Sequence, residues 1–318
     1  MVSGAALIVS VLGVVSCISS SVTPPAVEAK DLPKVYQANA QAYVRTVQSG
    51  SDTFSVQTAS RVFRRAGSPE IELVGAMHAA ESSYYQSLQK RLSRADLVLY
   101  ELVVDERDAK ENHDAMQRAE EKSAFSRLAA AQGLVSQNRG IDVKKKNFRR
   151  CDMTFQQMIA KLQEEAKQGA GQGGQAKEAK REFAKLGRVL DGRSWMMNAV
   201  VRLVGMNHGL RERVRFMLVA SGQASDEDDS LHPRLQQLIL EDRNEFAMNE
   251  LAKVLRRENH QRIAIFYGAA HLPDMEKRLV RMGYRAAGTR QWNDAIVSHP
   301  YSSGISDDEV QQMLKEDR

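Results

Sequence analysis

The chain has 318 residues, 42% of them hydrophobic and 27% charged, which is enough to bury a sizeable core and excludes wholesale disorder. Lys and Arg outnumber Asp and Glu by 45 to 40, a net charge of +5, with basic and acidic residues interleaved. With no recognition motif beside it, that balance argues against a nucleic-acid partner, and two cysteines, Cys17 and Cys151, cannot form a disulfide framework.

The first element is an apolar run from Ala5 to Val15, the length of a signal-peptide core and too short for a comfortable membrane-spanning helix. It ends in Val14-Val15-Ser16-Cys17, which resembles a bacterial lipobox with Cys17 as the lipidated residue. No Lys or Arg precedes Lys30, so an uncleaved anchor or an ordinary secretory signal remain alternatives. The expected organisation is a signal segment over 1–17, a Ser/Thr/Pro-rich tether over 18–34, one domain over 35–300 and a polar tail over 301–318. The expected location is the cell envelope, either lipid-anchored to a bacterial membrane or secreted.

Val35 to Gln48 has helical character. Thr53 to Arg64 alternates in part, Ala66-Gly67-Ser68-Pro69 is a turn signal, and Ile71 to Val74 is a β-type run, which together predict a hairpin. Glu81 to Leu92 places Tyr84, Tyr85, Leu88 and Leu92 at helical spacing, and Asp96 to Tyr100 is a second apolar run. Strand, helix and strand in that order predict parallel, neighbouring strands. From Asp108 to about Leu255 the chain reads as a helical insertion, interrupted by the low-complexity linker Gly169 to Gln175. Lys144, Lys145, Lys146, Arg149 and Arg150 form the clearest basic cluster, read as a solvated face. Ile263 to Tyr267 is the most strand-like run in the chain, Pro273 to Met282 is helical, and Tyr284 opens a last strand. The fold class expected is α/β, a layered sandwich with a small, mainly parallel central sheet and a large helical insertion.

Gly-x-x-His occurs three times, at Gly75 to His78, Gly205 to His208 and Gly268 to His271. Alone the pattern is weak. The first and third copies each follow an apolar β-run and precede a helix, the position where parallel sheets place their sites. Glycine there allows a sharp turn and leaves room for a ligand. The second copy lies in an Arg-rich helical stretch and reads as coincidence. Glu101 ends the strand expected beside that of His78. Two imidazoles and a carboxylate at neighbouring strand ends are the donors of a Zn, Mn, Fe or Co site, with the glutamate as ligand or general base. The alternatives are satisfied structural histidines and an exposed strand-terminal carboxylate.

The segment Gly75 to Leu102 (GAMHAAESSYYQSLQKRLSRADLVLYEL) resembles the start of a TraB/Tiki domain. Glu241-Asp242-Arg243-Asn244 is similar to that family's Arg-Asn helix motif, and YGAAHL over Tyr267 to Leu272, followed by Met282-Gly283-Tyr284, to its second Gly-x-x-His ending. The likeness covers roughly residues 50 to 297; Val103-Val104-Asp105 departs from the more polar continuation of the Tiki branch. The resemblance implies a compact α/β sandwich and a metal-dependent hydrolase acting on a peptide or protein substrate. It places a divalent ion (Mn, Co or Zn) on His78, Glu101 and His271, and makes Glu101 and Arg243 the catalytic residues, Arg243 stabilising charge on the carbonyl oxygen. The alternative it carries is a lipid-anchored binding protein for haem, a metal or a peptide. For Arg243, the residues alone favour a helix-surface ion pair with Glu241 or a neighbouring acid if that helix faces solvent.

Overall fold

A computed structural model of the chain describes residues 34–37, 39–104, 124–167, 172–190, 195–223 and 232–316. The predicted signal segment, most of the tether and part of the Gly-rich linker lie outside the described residues. In chain order the elements are β1 (Lys34–Tyr36), β2 (Val44–Gly50), β3 (Thr53–Arg64), β4 (Glu70–Ala76), β5 (Ala79–Ala80), α1 (Ser82–Leu92), β6 (Leu97–Tyr100), α2 (Ala124–Ala131), β7 (Val135–Ser136), α3 (Gln137–Gly140), β8 (Phe148–Arg150), α4 (Phe155–Glu165) and α5 (Gln172–Leu190). Then follow α6 (Trp195–Met206), α7 (His208–Ala220), α8 (Pro233–Gln237), a π-helical turn (Leu238–Asp242), α9 (Arg243–Arg257), β9 (Arg262–Gly268), a 3-10 turn (Ala269–His271), α10 (Leu272–Arg281), β10 (Arg285–Ser298) and α11 (Asp307–Glu316).

The sheet runs β1-β2-β3-β4-β9-β6-β8, with β10 on the second edge of β3. Four adjacent strands, β4, β9, β6 and β8, are mutually parallel, and the β1–β2–β3–β4 and β3–β10 pairings are antiparallel. The α/β sandwich with a mainly parallel central sheet is therefore as the sequence implies. The predicted hairpin is present, its turn closed by the Ser68 N–H on Arg65 O and by Gly67 at φ 67°.

Alternate residues of the central strands feed two cores. Ile71, Leu73, Leu97, Leu99, Ile263, Ile265 and Tyr267 pack with Leu251, Met275 and Leu279 on one face. Val74, Val98, Ala264 and Phe266 pack with Leu88, Val214 and Val310 on the other. A third cluster, including Met158, Leu162, Phe183 and Leu238, holds part of the helical insertion together.

Five expectations are corrected. Residues 35–48 are not helical: Val44–Gly50 is a strand, because β-branched Val44, Thr46 and Val47 pair with β3 and the Thr46 hydroxyl donates to Val219 O at 2.6 Å. β4 and β6 are parallel but not neighbours: β9, buried on both faces and apolar nearly throughout, takes the centre between them. The helical insertion contributes a strand to the sheet, β8, whose three residues carry no periodicity of their own and are held by pairing with β6. Gln172 to Gln175, expected in the linker, open helix α5. The predicted polar tail is an amphipathic helix with Val310 and Leu314 in the core.

Leu314→Ala should lower unfolding stability by about 2–5 kcal/mol, the usual loss for a buried leucine. Urea denaturation followed by circular dichroism measures it; an unchanged midpoint would show that α11 does not pack on the domain.

Candidate functional site

Four adjacent parallel strands end at one edge of the sheet, and each delivers a polar side chain there. In spatial order these are His78 after β4, His271 on the turn after β9, Glu101 directly after β6 and Asp152 two residues after β8. Carboxyl ends of parallel strands face the helix starts that follow them, and α/β folds place their sites there. Arg243 reaches the same point from the first position of α9.

Arg243 is the largest fully buried side chain, 1% exposed. Its Nε and Nη2 donate to Asp152 Oδ1 and Oδ2 at 3.0 and 2.7 Å, a bidentate pair. Nη2 also donates to Glu101 Oε1 at 2.6 Å, and Nη1 donates to Ile239 O at 3.2 Å and to His271 Nε2 at 3.4 Å. A guanidinium has five N–H donors, and here all five have protein acceptors. Ile239 belongs to the π-helical turn that precedes α9, a distortion found often at functional positions.

Glu101 is also held from two sides. Oε1 takes the Arg243 contact, and Oε2 accepts the Gly268 N–H at 2.6 Å. Its own N–H donates to Phe266 O at 3.0 Å, which ties it to β9. The tautomer of His271 follows from its neighbours. Asn244 Nδ2 donates to His271 O and Asp274 Oδ2, so its Oδ1 is the atom that faces His271 Nδ1, at 2.7 Å. Nδ1 therefore carries hydrogen, and Nε2, facing only a guanidinium donor and a carboxylate, presents a lone pair.

Glycine at 268 makes the convergence possible. A Cβ there would lie 3.2 Å from Glu101 Oε2, 3.6 Å from His271 Cδ2 and 3.9 Å from His78 Nε2. Gly75 does a different job from the ligand clearance expected of it: a Cβ would sit 2.9 Å from Ala59 O and 3.2 Å from Leu272 Cδ1, so its smallness packs β4 against β3 and the start of α10. His78 is half-buried, whereas Glu101, Asp152, Arg243 and His271 are buried, so the site is reached from the His78 side.

Burial by itself would push the Glu101 carboxyl upward; the Arg243 guanidinium outweighs it and holds the group well below the ordinary glutamate range. Arg243 is shifted upward, burial opposing and the Asp152 and Glu101 carboxylates prevailing. Burial drives the Tyr267 phenol well above its usual value, and its hydroxyl donates to Cys151 O. Cys151 is a buried thiol, pushed up to about 12 by burial, which suits packing rather than nucleophilic chemistry.

All four expected residues, His78, Glu101, Arg243 and His271, thus meet at one place. Arg243 pairs with Asp152 and Glu101 rather than with the exposed Glu241. The second Gly-x-x-His copy places His208 on an exposed helix start with Nδ1 beside Arg211. Sequence reasoning missed Asp152 and the role of Asn244. Asn244 stands in the quoted Arg-Asn pair, so adjacency to Arg243 was an available signal; Asp152 follows a strand too short and too basic to be recognised. Among the described residues no three His, Cys, Asp or Glu side chains stand as a ready-formed metal cage. The donor chemistry nonetheless fits a divalent ion: a lone pair on His271 Nε2 backed by an Nδ1–H···O=C bond, a second imidazole facing the same glycine, and Glu101 oxygens that each accept one hydrogen bond. No family model, no curated protein and no solved structure matches the chain.

The depressed value of Glu101 fixes a pH dependence. Its contribution to stability is complete above the unfolded glutamate value of about 4.3 and is lost as pH falls through the lower folded value. Glu101→Gln should be less stable than the parent at pH 6, and the gap should narrow progressively below about pH 4. Urea midpoints of the two proteins from pH 6 to 3 test this; a constant gap would refute it.

Proposed function

We infer that the chain is an envelope-associated hydrolase of TraB/Tiki-like character, acting on a peptide or protein substrate. The observation that carries this reading is the meeting of His78, Glu101 and His271 around Gly268, at the carboxyl edge of a parallel sheet. Mn, Co or Zn held by His78, Glu101 and His271 would supply Lewis acidity and a water of lowered pKa.

The protein's own groups divide the remaining work. Asn244 orients His271 through Nδ1 and keeps Nε2 available. The low proton affinity of Glu101 makes it a weak general base, which favours a ligating and orienting role for it. Arg243 has no N–H left for a substrate oxygen, so its part in the reaction is to position Glu101 and keep it ionised. His78, the half-buried member, meets the substrate side of the site. Anchoring would come through Cys17, in a segment outside the described residues; among the described residues no helix is long and apolar enough to cross a membrane.

The satisfied network around Arg243 also favours a second reading, a lipid-anchored protein that binds haem, a metal or a peptide without turnover, since Glu101, the expected general base, is held at low proton affinity. Fluorogenic peptide cleavage with Mn, Co or Zn, beside metal calorimetry and a Soret titration with haem, separates the two. Hydrolysis predicts metal-stimulated turnover that falls about 100-fold or more in His78→Ala and His271→Ala. Binding without turnover, lost in His271→Ala, would establish the second reading. Equal behaviour of parent and both variants in every assay would sink both.

Asp152→Asn should expose the dependence on Arg243. It keeps the side-chain size but removes one of the two carboxylates balancing the buried guanidinium, and should cost about 3–5 kcal/mol in urea denaturation. A loss below about 1 kcal/mol would mean that Glu101 alone suffices to hold Arg243.

A further inference from the structure

Met77 and His78 lie between β4, which ends at Ala76, and β5, which starts at Ala79, so neither belongs to a strand ladder. Their carbonyls need donors from elsewhere in the fold. The Tyr85 hydroxyl, on α1, donates to Met77 O at 2.7 Å. The Gln137 N–H, at the first position of α3, donates to His78 O at 2.9 Å. On the β4 side, the Thr58 and Tyr84 hydroxyls lie 3.0 and 3.1 Å from Gly75 O and 2.8 Å from each other. Past His78, Ala79 and Ala80 pair with Ser136 and Val135.

Tyr85 is fully buried, and its ring meets that of Tyr84 edge-on at 5.1 Å between centroids. Phenylalanine would fill the same space. A buried phenol needs an acceptor for its O–H, and Met77 O is one. The ring is also fixed from α3. A Cβ added to Gly140 would overlap the Tyr85 ring and come within 2.7 Å of Tyr85 Cβ, so glycine at 140 is what admits it. The start of the helical insertion thus holds the turn twice, directly through Gln137 and through the slot that seats Tyr85. Beyond the turn, His78 Nε2 lies 3.9 Å from where a Cβ on Gly268 would stand.

We propose that Tyr85 and the first N–H of α3 are positioning groups for His78. The phenol on Met77 O and the Gln137 N–H on His78 O hold the two residues of the first Gly-x-x-His turn that no strand pairs with, and so set the imidazole against Gly268. The consequence for metal affinity rests on the reading of His78 as a ligand; the placement of the ring does not. Groups that orient a ligating histidine from behind commonly change metal affinity by about 10–100-fold when removed.

Two variants of the full-length chain each remove one donor. Tyr85→Phe keeps the ring and loses the O–H. Gln137→Pro loses the N–H with little change of backbone: proline suits a first helical position, and Ser136, at φ −73° and ψ 151°, already has the extended conformation that a following proline demands. Leu92→Ala, fully buried at the far end of α1, controls for general loosening. Histidine labelled with 13C at Cε1 reports the imidazole of the metal-free protein at one fixed pH, the His78 signal being assigned by its loss in His78→Gln. Zinc chloride is titrated by calorimetry in parallel. In Tyr85→Phe and Gln137→Pro the His78 signal should move and zinc binding weaken about tenfold or more; in Leu92→Ala both should stay with the parent. If one of the two variants does not fold, the other decides. If the parent binds no zinc, the metal reading fails and the His78 signal alone decides the positioning. A signal that neither variant moves, or that Leu92→Ala moves equally, overturns the proposal.

Discussion

The guanidinium of Arg243 is the interaction on which the sheet edge depends. It lies between the carboxylates of Asp152 and Glu101, with its remaining donors on Ile239 O and His271 Nε2. One side chain thereby joins the ends of β6 and β8, the π-helical turn and the turn after β9. Burying such a group costs several kcal/mol in desolvation and is tolerated only when every donor is matched. A well-packed apolar replacement is often no less stable, so stability alone is a poor reason for its presence. Its effect on Glu101 is specific: it keeps a buried carboxylate ionised where burial would otherwise protonate it.

Backbone economy brings the other members close. Gly268 puts its N–H on Glu101 and, lacking a side chain, lets Glu101, His271 and His78 approach one point. Gly75, the matching glycine of the first motif, is spent on packing β4 against Ala59 and Leu272. Two turns with the same sequence pattern are therefore not equivalent: one shapes the site and the other seats the strand that carries His78.

Much of this was legible in the residues. The runs Ile71 to Val74, Leu97 to Tyr100 and Ile263 to Tyr267 are apolar and end at Gly or Glu, so the strand ends bearing His78, Glu101 and His271 stood out. Two things did not. The order of the sheet depends on β9, a strand from the far end of the chain, entering between β4 and β6, and local pattern carries no information on such long-range pairing. β8 is three residues of Phe-Arg-Arg held by its neighbour, so Asp152 was hidden inside what reads as a basic surface run. The π-helical turn was likewise invisible, because Leu238 to Asp242 continues a helical apolar pattern without a break.

Charge at the sheet edge bears directly on what the site can hold. Glu101 and Asp152 bring two carboxylates and Arg243 one cation. An Arg243 N–H is directed at His271 Nε2, and the other ring nitrogen of that imidazole faces Asn244 Oδ1. Among Glu101, Asp152 and Arg243 carboxylates exceed cations by one, in surroundings of low dielectric where charge is expensive. A cation arriving on the His78 side would find a lone pair on His271 Nε2, unshared lone pairs on Glu101 and a second imidazole beside Gly268. An anion would meet Glu101 first, with every donor of Arg243 already engaged behind it. With every Arg243 donor engaged, the exposed face of the cluster offers acceptors rather than donors, so its electrostatics favour cations over anions.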